Sequence, residues 1–93
     1  MVIGVLRAEL ALDGTRSLKD KRRIVKSLLD RAQRHYRVAA AEVDQQDSWR
    51  RAVLGFACVS ARGDHAQQIL HRLVGWIERE TGAHLIDYSI EIL

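Results

Sequence analysis

Between Val2 and Leu12 the side chains alternate, with Val2, Gly4, Leu6, Ala8 and Leu10 on one side and Ile3, Val5, Arg7 and Glu9 on the other. A period of two over this length predicts a β-strand. Asp13-Gly14 then supplies turn chemistry, and Ser17, with Asp20 three residues on, makes an N-cap close to a capping box. From Leu18 the period becomes helical. At about 100° per residue, Leu18, Val25, Leu28, Leu29, Ala32 and Tyr36 share one arc, and Lys19, Arg23, Lys26, Arg34 and Arg37 lie opposite. This predicts an amphipathic helix ending near Tyr36.

Val38 to Asp44 reads as a short, alanine-rich second strand, and Gln45-Gln46-Asp47-Ser48-Trp49 as a polar loop. Ala52 to Ser60 is apolar on both faces, as a central strand should be. The short connection predicts an antiparallel hairpin. Gly63-Asp64 opens a second helix with Asp64 as its expected N-cap, and Ala66, Ile69, Leu70, Leu73 and Ile77 form its apolar stripe, flanked by Val74 and Trp76. Gly82 suits the C′ position after it. From His84 to Leu93, Ile86, Tyr88, Ile90 and Ile92 alternate with Asp87, Ser89 and Glu91, which predicts a last strand.

The order βαββαβ is the split βαβ, or ferredoxin-like, arrangement of the α+β class. Right-handed crossovers place both helices on one face of a four-stranded antiparallel sheet, with the first and third strands central. Residues 1–93 are expected to form one domain. A hydrophobic content of 47% suffices for a packed core, and the single cysteine, Cys58, allows no internal disulfide and fits a reducing compartment. No basic leader with a small-residue cleavage site follows Met1, and no apolar run approaches the roughly 20 residues of a membrane helix. A cytoplasmic protein without membrane association is expected.

The net charge of +3 conceals an asymmetry. Residues 1–37 hold ten Lys/Arg against four Asp/Glu, a balance of +6, while residues 38–93 hold five against eight, a balance of −3. The basic character is local. Its densest part is Lys19, Lys21, Arg22, Arg23 and Lys26, and Lys and Arg grip phosphate backbones without reading bases. A solvated helix face, with Asp30 four residues from both Lys26 and Arg34, is the competing reading. Lys21 falls near the apolar arc, where it either snorkels past the core or pairs with a carboxylate such as Glu42.

The face of the sheet away from the helices is a second candidate. With Leu6, Ala57 and Ile90 toward the helices, Arg7, Glu9, Glu42, Asp87 and Glu91 point outward, and four carboxylates against one arginine repel phosphate. Gly55-Phe56-Ala57-Cys58-Val59 only partly echoes the base-stacking strand of an RNA-recognition motif. Ile3, Val5, Leu54 and Phe56 are expected on that outer face as an apolar contact surface, and Trp49 in its loop either anchors a partner or covers the end of the core. The four histidines lack i,i+4 pairing and neighbouring cysteines, so neither a metal nor another cofactor is expected. No nucleophile elbow, phosphate loop or dinucleotide fingerprint occurs, and the acylphosphatase anion loop after the first strand has no match. A non-enzymatic role is expected; an enzyme would be sought around Glu42, Asp44 and Asp47.

Ser17-Leu18-Lys19-Asp20-Lys21-Arg22-Arg23, Ala41-Glu42-Val43-Asp44, Asp47, Trp49 and Ala52-Val53-Leu54-Gly55 resemble the YlxP family of small bacterial proteins of uncharacterised function. The resemblance runs from Val2-Ile3-Gly4-Val5-Leu6 to Ile90-Glu91-Ile92-Leu93, departing at Arg37-Val38-Ala39-Ala40, where relatives tend to carry Asn and Ser. It implies the same fold, and a gene setting between a translation initiation factor and a ribosome-maturation factor. It implies no catalytic residues. Two expectations result: an accessory protein docking on ribosomal RNA or a ribosomal subunit through Lys19, Lys21, Arg22, Arg23 and Lys26, or a protein-interaction module, as a homodimer, using the outer face or an edge of the sheet.

Overall fold

The computed structural model describes residues 1–80 and 82–93. β1 (Val2–Leu12), α1 (Leu18–Tyr36), β2 (Ala39–Asp44), β3 (Arg51–Ser60), α2 (Gly63–Glu78) and β4 (Ala83–Ile92) follow one another, and the strands form one sheet in the order β2-β3-β1-β4. All three strand pairs are antiparallel. The two most apolar strands occupy the centre and α1 and α2 share one face, so the fold is ferredoxin-like, as the chain order predicts.

The helix-facing side of the sheet holds the core. Leu6, Ala8 and Leu10 of β1 and Ala52, Leu54, Phe56 and Cys58 of β3 are buried against Val25, Leu28 and Ala32 of α1 and Ala66, Leu70, Leu73 and Ile77 of α2. Here the parity of β3 differs from expectation. Leu6 pairs with Phe56 and Ala8 with Leu54, so Leu54 and Phe56 point to the helices and Ala57 points away. Neither Leu54 nor Phe56 belongs to an outer contact surface. At Gly4 the helix and the sheet leave no room for a side chain: a Cβ would lie 2.9 Å from Leu70 Cδ1 and 3.1 Å from Cys58 Sγ.

Ser17 caps α1, its hydroxyl accepting from the Asp20 amide at 3.1 Å, while Asp20 Oδ2 accepts from the Arg16 amide. The helix ends on Arg37 at φ 52°, a left-handed position that Gly or Asn fills with less strain. α2 starts two residues earlier than the Asp64 cap implies. Arg62 is the capping residue, with extended backbone and a side chain that makes no capping bond to the helix amides, and Asp64 lies in the first turn. The Arg62 guanidinium hydrogen-bonds Asp64 and holds its carboxyl below the usual carboxylate range. Gly82 is not the C′ residue of α2, which is capped by Arg79; its φ of 84° instead serves the turn into β4, where its carbonyl accepts from the Asp13 amide.

A register shift between Glu42 and Asp44 puts a bulge at Val43. An extra residue reverses the alternation beyond it. Glu42 pairs with inward-facing Leu54 and so faces the helices, contrary to the outward placement expected, while Asp44 pairs with Val53 on the outer side. No helix among the described residues is long and apolar enough to cross a membrane.

Candidate nucleic-acid interface

The basic cluster of α1 divides into two environments. Lys19, Arg22, Arg23 and Lys26 are exposed on the side of the helix away from the sheet, and Arg34 continues the same face. From Lys19 to Arg34 this stripe runs about 22 Å. Asp30 is the carboxylate within it, paired with Lys26 at 2.9 Å in an exposed i,i+4 bridge that contributes little to stability. No carboxylate lies within 4 Å of the cationic groups of Lys19, Arg22 or Arg23 among the described residues. These three cations are open to an external anion.

Lys21 is the exception, and its placement as a phosphate contact has to be withdrawn. Its side chain is 0% exposed, and its ammonium stands 2.7 Å from Glu42 Oε2 and donates to the Gln45 carbonyl. The alternative of pairing with Glu42 is the one realised. Glu42 Oε2 has no aligned hydrogen bond of its own, whereas the separation is that of a close ion pair. The ammonium hydrogens rotate freely about the terminal bond, so the two groups hold each other as an ion pair. A buried lysine needs a partner to offset desolvation, and the inward turn of Glu42 at the bulge supplies it. The pair ties α1 to the β2–β3 hairpin.

Two other arginines are engaged, one on each side of the molecule. Arg31 reaches Glu80 at 2.6 Å and lies over the Trp76 ring, 5.3 Å from its centroid, so it joins α1 to the end of α2. Arg7, on the outer sheet face, approaches Asp44 at 3.8 Å. Glu42 and Asp44 therefore face opposite sides of β2, and the hairpin carboxylates named as a place to seek an enzyme do not converge. Among the described residues no group of three or more His, Cys, Asp or Glu is arranged to hold a metal ion.

Of the residues named for the outer sheet surface, Ile3 and Val5 are on that face, and Leu54 and Phe56 are not. The bulge adds Val43, whose Cγ1 would lie 3.0 Å from a Cβ at Gly55. Ala39, Ala41, Ala57 and the exposed Val59 complete a smooth apolar strip that sequence reading missed. Its signal was faint, since small side chains on β2 fit equally well in a core. Trp49 is 48% exposed, so about half of its surface is open to a partner.

Residues 3–90 match the family described as a protein of unknown function, DUF503. The chain is 32% identical over 77 residues to the uncharacterized protein YlxP of Bacillus subtilis (strain 168), covering 83% of this chain and 84% of that protein. Two solved structures share the fold at low identity. A de novo designed protein with ferredoxin fold superposes with a TM-score of 0.54 at 12% identity, over 100% of this chain and 84% of the other. The structured domain of Drosophila melanogaster Boca gives 0.50 at 19% identity, over 94% and 95% of the two chains. Family match and relative agree with the resemblance of the Ser17–Arg23 and Ala41–Trp49 stretches: the chain belongs to the DUF503 family, together with YlxP.

Proposed function

We propose that this chain is a non-enzymatic accessory protein that docks on structured RNA, such as ribosomal RNA in a ribosomal particle, through the exposed face of α1. Lys19, Arg22, Arg23 and Lys26 contact phosphates, and Arg34 extends the footprint. The single observation that carries the reading is the set of exposed, unpaired cations at Lys19, Arg22 and Arg23 along one face. A helix stripe of this kind tracks a phosphate backbone and sets orientation without reading bases. RNA duplexes suit it because they are recognised chiefly by shape and backbone.

The test is binding to structured RNA as a function of salt. Each phosphate neutralised adds roughly one to the slope of log affinity against log salt. The combined variant Arg22→Glu, Arg23→Glu, Lys26→Glu should stay folded and lose both affinity and slope. Retention of that variant on RNA at wild-type strength removes the reading.

A second reading rests on a separate observation, the apolar strip of Ile3, Val5, Ala41, Val43, Ala57 and Val59 on the outer sheet face. Contiguous exposed apolar surface marks protein contacts, a homodimer in the simplest case. A dimer seen by light scattering, indifferent to salt and dissociated by Val59→Glu, supports it; a monomer at high concentration opposes it.

A further inference from the structure

The two tryptophans of the chain have different reasons to be there. Trp76 belongs to the folded core: its ring stands 5.9 Å from that of Tyr36, Arg31 covers one face, and it packs against buried residues. Trp49 is placed differently. It leaves 48% of its surface in water. A half-exposed indole is among the costlier side chains to leave in solvent, and it is a strong anchor when a ligand covers it.

Its support is rigid. The Trp49 carbonyl accepts from the buried Thr15 hydroxyl at 2.7 Å, and Leu12 donates its amide to the Arg50 carbonyl at 2.8 Å. Ser48 brackets the turn, its amide donating to the Gln45 carbonyl and its hydroxyl accepting from the Arg51 amide. Lys21 fastens the Gln45 carbonyl from below. These bonds run through backbone atoms at Trp49 itself, so they survive replacement of its side chain. A ring mounted this way loses little freedom when it stacks.

Its position is as telling. Thr15 stands four residues before Lys19, a chain distance of at most roughly 14 Å, so Trp49 lies at the N-terminal end of the basic stripe. Arg16 and Arg50, the chain neighbours of Thr15 and Trp49, are exposed, as is Lys19. Of the nearby carboxylates, Asp13 is held by His84, Asp20 by the Arg16 amide, and Asp44 by Gln45 and Arg7; Asp47 remains in the loop. An aromatic face beside a track of cations is the combination that binds unpaired nucleotides, the base stacking while the phosphate rests on Lys or Arg.

We propose that Trp49 is a stacking platform for an unpaired nucleobase of the same RNA whose phosphates lie along α1. This rests on the RNA reading of α1 and narrows it: the target carries a bulged or looped-out nucleotide beside a helical segment. A plain duplex does not provide one. Stacking is sequence-tolerant, so any base serves.

The experiment compares two RNAs, a hairpin with one looped-out nucleotide and its fully paired counterpart, against the full chain and two variants. Trp49→Ala should bind the bulged RNA about tenfold more weakly and the paired RNA as well as wild type. Trp49→Phe should retain most of the preference. Wild-type tryptophan emission should be quenched saturably by the bulged RNA alone. Equal affinity of Trp49→Ala and wild type for the bulged RNA overturns the inference, as does an equal loss for both RNAs. If Arg22→Glu, Arg23→Glu, Lys26→Glu weakens both RNAs while Trp49 is silent, the α1 reading stands and this one falls. If that variant binds both as wild type does, α1 itself is excluded.

Discussion

Lys19 and Lys21 stand two residues apart on α1, and about 200° of helical rotation carries them to opposite environments. Lys19 is exposed and has no acidic partner among the described residues, while Lys21 is sealed between the helix and the hairpin against Glu42 and Gln45. One lysine is a structural cross-brace and the other an unused charge. A run of basic residues is thus not one feature. Its members take their roles from the side of the helix they fall on, and only the solvent side can serve a partner.

That comparison predicts very different responses to substitution. The largest is at the brace. Lys21→Ala strands Glu42 in a buried site and should destabilise the fold by about 3–5 kcal/mol, whereas Lys21→Met with Glu42→Leu should recover most or all of the loss. Urea denaturation of Lys21→Met, Glu42→Leu and the double variant gives the coupling directly. A single variant costing less than about 1 kcal/mol would mean that the pair is not sealed from water.

The sheet offers the same contrast at smaller scale. Gly4→Ala pushes a methyl group toward Leu70 and Cys58 and should cost about 1–3 kcal/mol by overpacking. Val59→Glu, on the outer face, should stay within about 0.5 kcal/mol of wild type. Thermal melts of the two decide whether the inward and outward faces are assigned correctly.

On the solvent side of α1, Arg22→Ala and Arg23→Ala should each leave stability within about 0.5 kcal/mol while lowering the salt slope of RNA binding by about one. A marked loss of stability at either position would show a structural role that the absence of a partner does not suggest. The smallest effect is expected at the helix end, where Arg37→Asn relieves a left-handed backbone and should stabilise by a few tenths of a kcal/mol.

How far these roles were legible from sequence differs by element. The helical period put Lys21 near the apolar arc, because a 3.6-residue repeat leaves little freedom over five turns, but it left open whether the side chain snorkels or pairs with a carboxylate such as Glu42. The strand faces were harder. β3 is apolar on both sides, so nothing in its residues marks Phe56 as inward and Ala57 as outward; pairing with β1 decides it. Glu42 and Asp44 look alike in an alternating strand, and only the bulge at Val43 sends them apart. Trp49 was visible as a residue in a polar loop, but the anchoring of that loop depends on Thr15, 34 positions away, donating its hydroxyl to the Trp49 carbonyl. Local pattern was sufficient where one element fixes the geometry and failed where two must meet.

The most direct measurement is the salt dependence of binding to a structured ribosomal RNA fragment, wild type against Arg22→Glu, Arg23→Glu, Lys26→Glu, with circular dichroism to show that both are folded. The account predicts a wild-type slope of log affinity against log salt of about −3 or steeper, nearly abolished in the variant. Parallel lines of equal affinity would contradict it, leaving the exposed cations of α1 as an ordinary solvated helix face.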